Sequence, residues 1–180
     1  MVVALESSRA PDYGRLKEYA PFSFTTEKTG GIIGNGDITM DWIVHVLKRT
    51  VDTQYRTKAD RRHTFLAGSS MGGLMTLYGL LVYPEVFSRG AALSPSLWID
   101  AEKVKAMIRH ARVKRNTVLY MDYGALEFAD HPHSRSLFAE VSALLIEKRV
   151  LLNSRIVPRG THCEASWEKQ IPFFMKTLFE

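Results

Sequence analysis

Apolar and polar positions along the chain fall into short β-like runs separated by stretches with helical spacing. Val2-Val3-Ala4-Leu5 is a continuous apolar run and reads as a buried strand. From Pro11 to about Asp37 the pattern dissolves, and Gly30, Gly31, Gly34 and Gly36 mark a surface loop, at least in part. Thr39 stands where a helix cap belongs, and Ile43, Val46, Leu47 and Val51 then share one face. Thr64-Phe65-Leu66-Ala67 is the second strand. Leu74, Leu77, Tyr78 and Leu81 after it recur at i, i+3, i+4 and i+7, and Pro84 closes that helix.

Ala91 to Leu93 is a third strand, leading into Ser94-Pro95-Ser96-Leu97-Trp98. A helix follows from about Asp100 to Ala111, then a fourth strand from Thr117 to Met121. The next helix, from about Ser134 to Lys148, places Leu137, Phe138, Val141 and Leu145 on one side. Leu151 to Val157 is the fifth strand, and the last helix carries Trp167, Ile171, Phe174 and Leu178, kinked or restarted at Pro172. Strands alternating with helices predict one α/β domain over residues 1–180, its sheet mostly parallel with helices on both faces.

Composition leaves that picture intact: 180 residues, 46% hydrophobic and 24% charged, suit one domain with a sizeable core. No apolar run approaches the roughly 18 residues that cross a bilayer, and Met1 to Leu5 lacks the basic flank and cleavage site of a signal peptide. The expectation is a cytoplasmic protein without membrane contact. Cys163 is the only cysteine, which excludes an internal disulfide or a cysteine-rich metal site. Net charge is +5, concentrated in Lys103, Lys105, Arg109, Arg112, Lys114 and Arg115. With Val104, Met107, Ile108 and Ala111 on the other side and no aromatics interleaved, this reads as a solvated helix face, not a nucleic-acid surface.

Chemistry concentrates at the strand ends. Gly68-Ser69-Ser70-Met71-Gly72, followed by Gly73, has the G-x-S-x-G form of a nucleophile elbow, with a strand before it and a helix after it. Such a turn holds the serine in a strained conformation at a helix N-terminus, where free N–H groups favour developing negative charge. Ser70, Glu127 and His162 follow the second, fourth and fifth strands in turn. Serine, acid, histidine is the chain order of an α/β-hydrolase triad. His162 would take the Ser70 proton, Glu127 would hold the imidazole tautomer, and the Met71 N–H would donate to the oxyanion. Asp122 and Asp130 lie near Glu127 as alternative acids; Asp122 falls within or at the end of the strand, and Asp130 starts the next turn or caps a helix. Ser69 and Trp98 are candidate pocket walls, although Trp98 equally suits a core. His131-Pro132-His133 beside Asp130 offers two histidines with no third ligand in view, so no metal is expected.

Thr64 through Leu74, with the elbow at its centre, resembles the esterase family of the α/β-hydrolase superfamily, which includes esterase D-like, enterochelin esterase-like and feruloyl esterase-like enzymes. Further segments are similar in order: Pro84-Glu85-Val86-Phe87, Leu93-Ser94-Pro95-Ser96-Leu97-Trp98, Gly124-Ala125-Leu126-Glu127 and Gly160-Thr161-His162-Cys163-Glu164-Ala165-Ser166-Trp167. The resemblance implies a serine hydrolase of carboxylic esters or lactones without cofactor, with Ser70 as nucleophile, His162 as base and Glu127 as acid. Some relatives work with a serine–histidine dyad. An acyltransferase using the same residues is an alternative.

Full-length relatives carry further strands before the one resembling Val2 to Leu5, so the chain reads as the C-terminal two-thirds of the family fold. One missing strand is followed by the loop that supplies the second oxyanion N–H. This gap suggests another alternative, a weakly active or non-catalytic module, and a homo-oligomer that completes the sheet.

Overall fold

A computed structural model describes residues 1–27, 29–130 and 133–180, with the side chain of Asp130 left out. In chain order the elements begin with α1 (Gly14–Tyr19), β1 (Phe24–Thr26), β2 (Gly30–Ile32), α2 (Gly36–Trp42), a π turn (Ile43–Leu47) and α3 (Lys48–Gln54). The elbow region follows as β3 (Phe65–Ser69) and α4 (Met71–Val82). Then come β4 (Arg89–Leu93), a 3-10 turn (Leu97–Ile99), α5 (Ala101–His110) and β5 (Val118–Gly124). The chain ends with α6 (Glu127–Asp130), α7 (His133–Glu147), β6 (Leu151–Val157), α8 (Glu164–Glu168) and α9 (Ile171–Phe179).

Four strands form one sheet in the order β3-β4-β5-β6, every pair parallel. Alternation along β4 and β5 sorts the two faces. Ala92, Leu119, Met121 and Tyr123 pack with the buried sides of α4, α5 and α7. Ala91, Leu93 and Tyr120 turn the other way, toward Phe174 and Leu178 of α9 and Trp167 of α8. Period-two alternation with helices on both sides is the arrangement a buried parallel sheet requires. The expected α/β class is the observed one.

The basic helix behaves as a solvated face. Val104 and Ile108 of α5 are fully buried, while Lys105 pairs with Glu102 and Glu140 and Lys103 pairs with Asp100. Among the described residues no helix is long and apolar enough to cross a membrane.

Three expectations need correction. Val2–Leu5 forms no strand: residues 1–10 have no regular secondary structure, and Val2 is 89% exposed. An apolar run can favour extended backbone, but a strand exists only where a neighbour accepts its hydrogen bonds, and no strand among the described residues pairs with this segment. The stretch from Pro11 to Asp37 is more ordered than its glycines suggest, holding α1 and the antiparallel β1–β2 hairpin. Strands of three residues are too short to show an alternation.

The third correction concerns the helix over 36–54. It starts before Thr39, whose hydroxyl donates to the Glu18 carbonyl at 2.8 Å instead of capping. Its buried anchors are Met40 and Val44, whereas Val46 is half exposed. The π turn adds a residue to one turn and rotates the apolar face out of the 3.6-residue phase.

Candidate active site

The carboxyl ends of parallel strands are where α/β folds bind ligands, because loops and helix N-termini converge there. Ser69, Leu93, Asp122 and Arg155 form one register row across the sheet. The candidate residues stand just above it.

At the end of β3, Ser70 has φ 57° and ψ −120°, a backbone state that costs on the order of 1–3 kcal/mol for a non-glycine residue. Its N–H donates to Leu93 O at 2.9 Å, and its carbonyl accepts from Leu74 and Ser96 N–H, both at 3.1 Å. The turn is tight enough that a Cβ on Gly68 would stand 2.6 Å from the Gly72 backbone. This crossing of strand and helix requires glycine at 68, whereas a Cβ on Gly72 would meet nothing within 4 Å. Met71 N–H opens the first turn of α4 with no acceptor among the described residues. It is therefore available to an anion.

The other two residues meet Ser70 through a second close backbone crossing. A Cβ on Gly124 would stand 2.4 Å from Gly160, so the end of β5 and the turn after β6 pass in contact. Ala125 N–H donates to Val157 O at 2.9 Å and Leu126 N–H to Gly160 O at 3.0 Å. Glu127, at the start of α6, is thereby brought against His162. His162 Nδ1 lies 2.7 Å from Glu127 Oε2, and His162 Nε2 lies 2.9 Å from Ser70 Oγ.

Glu127 is buried, and its Oε1 accepts from Ser94 Oγ at 2.6 Å and from Gly124 N–H at 2.8 Å. Burial pushes its carboxyl up, but the hydrogen bonds from His162, Ser94 and Gly124 outweigh that and hold it below the usual carboxylate range.

Asp122 lies within β5 and faces the α9 side of the sheet with Tyr120. It accepts from Tyr120 Oη at 2.7 Å and from Ser94 N–H at 3.2 Å. Burial, outweighing these bonds, pushes its carboxyl up. Its hydrogen bonds go to Tyr120 and Ser94, not to His162. The side chain of Asp130, like His131 and Pro132, lies outside the described residues. No group of three or more metal-ligating side chains occurs among the described residues.

Ser69 ends β3 half-buried. Trp98 is 48% exposed between buried Leu97 and Ile99, so it belongs to the surface and not to the core. Beside it, Phe24, Ile32, Ile99 and Lys103 line an open groove under the β1–β2 hairpin.

Two further serines stand at the site, in the Ser94–Ser96 turn whose place after the third strand suggests a pocket wall but not these contacts. Ser96 Oγ sits 3.3 Å from Ser70 Oγ, and Ser94 joins Glu127. A third residue, Trp167, reads in sequence as one of the apolar positions of the last helix, yet its indole N–H reaches Ser94 Oγ at 3.0 Å. The signal available was its place five residues beyond His162 on the same turn.

Known proteins share this architecture. The IroE-like serine hydrolase from Shewanella oneidensis superposes with a TM-score of 0.73 at 19% identity, covering 91% of this chain and 55% of that one. The siderophore hydrolase EstA from Aspergillus nidulans superposes with a TM-score of 0.65 at 19% identity, covering 88% of this chain and 63% of that one. In sequence, the iron(III) salmochelin esterase of Escherichia coli O6:H1 is 35% identical over 78 residues, 43% of this chain and 19% of that relative. The chain thus spans only part of the length of each. The match to the family described as "Putative esterase" runs over residues 28–175 and takes in both glycine crossings and all three strand-end residues, and the chain belongs to that family.

Proposed function

We propose that this chain is a carboxylic ester hydrolase working through an acyl-enzyme on Ser70. The observation that carries the reading is the continuous contact from Ser70 Oγ to His162 Nε2 at 2.9 Å and from His162 Nδ1 to Glu127 Oε2 at 2.7 Å. In this reading His162 accepts the Ser70 proton as Oγ attacks the ester carbonyl. It then passes that proton to the leaving alcohol oxygen. Water, deprotonated by the same imidazole, attacks the acyl-enzyme, and the imidazolium returns that proton to Ser70 Oγ as the C–Oγ bond breaks and the acid leaves. Glu127 stays ionised and stabilises the imidazolium. The Met71 N–H donates to the tetrahedral oxyanion, aided by the N-terminal end of the α4 dipole. Ser69 and Trp98 flank the substrate. No cofactor enters the scheme.

The names of the relatives make siderophore esters the first natural substrates to test, since one is a salmochelin esterase and another a siderophore hydrolase. An activated ester such as p-nitrophenyl butyrate tests the chemistry itself. A burst of p-nitrophenol followed by turnover is expected in the wild-type protein, with both lost in Ser70→Ala. Equal rates in the two folded proteins would overturn the reading. A competing alcohol in the same assay diverts product to a new ester if acyl transfer dominates.

A second reading, association between copies, is favoured by the free edge of β3. Thr64 O and Ser70 N–H point toward β4, so by alternation the backbone groups of Phe65, Ala67 and Ser69 face away from it. No strand among the described residues pairs with that edge. Exposed edges recruit strands.

A further inference from the structure

The contacts of Glu127 continue past His162 to a residue outside the proposed catalytic set. We propose that Trp167, acting through the Ser94 hydroxyl, is a positioning residue that sets the tautomer of His162. This inference rests on the reading of His162 as the base.

The direction of every hydrogen bond in this chain follows from one donor. An indole N–H can only donate, so Ser94 Oγ must accept from Trp167 Nε1 at 3.0 Å. The single Ser94 proton is then free for Glu127 Oε1 at 2.6 Å. Gly124 N–H, also a donor only, reaches the same oxygen at 2.8 Å. With two donors on it, Oε1 has no place for a proton of its own. The remaining oxygen, Oε2, faces His162 Nδ1 at 2.7 Å.

With a neutral imidazole, two arrangements satisfy that last contact. Either a carboxylate accepts from Nδ1–H, leaving Nε2 bare toward Ser70, or a carboxylic acid donates to a bare Nδ1 and Nε2 carries the proton. Only the first has a base facing the nucleophile. Donors on Oε1 stabilise the carboxylate and so favour the first. Removing the indole N–H frees the Ser94 hydroxyl to rotate, and removing the hydroxyl takes a donor from Oε1 outright.

Ser94 is held for this task. It is 1% exposed, has φ 41°, and its N–H donates to Asp122 O at 3.0 Å as well as to the Asp122 carboxyl at 3.2 Å. A strained serine with both backbone and hydroxyl committed has little freedom to point elsewhere. Trp167 also meets the His162 ring edge to face, with centroids 4.9 Å apart at 84°. Packing on the imidazole is therefore the competing role for this residue, and the test must separate the two.

The test uses 15N NMR of histidine-labelled protein, with the His162 signals assigned by their absence in His162→Gln. The shifts of the two ring nitrogens report which one carries the proton. In the wild-type protein Nδ1 is expected to be protonated. Trp167→Phe, which keeps a ring against His162, and Ser94→Ala should each shift population toward the Nε2–H form. Each should lower kcat on p-nitrophenyl butyrate about 10-fold with KM little changed, well short of the roughly 10⁴-fold that a fully wrong tautomer costs. Trp167→Phe should add nothing in the Ser94→Ala background. An unchanged tautomer in both variants overturns the proposal, as do effects that multiply in the double variant, which would assign Trp167 to packing alone. A wild-type protein that turns over no ester would sink the hydrolase reading, and the tautomer measurement would still decide this one.

Discussion

At the residue scale the site is a set of groups whose protonation is arranged by what surrounds them. Glu127 and Asp122 are both buried acids near the end of β5, yet they shift in opposite directions. Burial raises both; at Glu127 three hydrogen-bond donors reverse the balance, and at Asp122 its two do not. The linkage signs differ accordingly. The depressed carboxyl of Glu127 contributes stability that is present above its unfolded value of about 4.3 and is lost as pH falls through the lower folded value. The raised carboxyl of Asp122 works the other way, giving stability that is complete below about 3.9 and is lost as pH rises through the folded value. Glu127→Gln is therefore expected to flatten the acid limb of the stability curve, followed by urea denaturation between pH 2.5 and 6. The same variant should lower kcat by up to about 10⁴-fold, because an amide can neither fix Nδ1–H nor balance the imidazolium. Unchanged turnover in a folded Glu127→Gln protein would exclude it as the acid.

At the scale of elements, two backbone crossings do the positioning. The β3–α4 crossing at Gly68 and Gly72 exposes Ser70, and the β5–β6 crossing at Gly124 and Gly160 brings Glu127 to His162. A Cβ on Gly160 would stand 2.7 Å from Gly124 Cα and 3.0 Å from the Val157 carbonyl, with backbone on both sides and little room to relax. Overpacking of this kind costs about 1–3 kcal/mol. Gly160→Ala should lower Tm by several degrees in calorimetry, since about 1 kcal/mol corresponds to roughly 2–4 °C in a domain of this size. Its kcat should fall as well, because the spacing between Glu127 and His162 widens. Gly31→Ala is the contrast: the nearest atom to its Cβ, Thr25 Oγ1, is 4.0 Å away, and no change in Tm or kcat is expected.

For the whole molecule the notable feature is asymmetry between the two edges of the sheet and its interior. β4 and β5 are buried, whereas β3 carries the Ser70 turn at an edge unpaired among the described residues, and Ala67 in its middle is exposed. Phe65 is capped on one face by Phe179, which is itself 67% exposed. Sedimentation velocity over a range of concentrations is expected to show reversible self-association through this edge. Ala67→Lys, a charge of the kind natural edges carry, should shift the equilibrium to monomer. A wild-type protein that stays monomeric at the highest concentration would remove the edge as an association surface.

The sequence alone determined the local grammar. Alternating short apolar runs and helix-period stretches specified a parallel α/β sheet, because burial on both faces demands continuous apolar strands and amphipathic helices. The G-x-S-x-G pattern around Ser70 marked the elbow, and the strand–helix crossing accounts for the glycine at 68. Chain order at the strand ends put Ser70 and His162 forward before any distance was known, and left the acid among Glu127, Asp122 and Asp130. What needed the tertiary structure was everything decided by a neighbour remote in sequence. Val2–Leu5 has strand composition but no partner strand among the described residues, the π turn rotated the face of the 36–54 helix, and Glu127 rather than Asp122 touches His162 because the Gly124–Gly160 crossing brings the start of α6 against the turn after β6. Trp167 and Ser94 are 73 positions apart, and only the fold brings the indole N–H within 3.0 Å of the Ser94 hydroxyl. Local pattern reports what a segment can bury, while hydrogen-bond direction and strand pairing are properties of pairs that only the folded chain brings into contact.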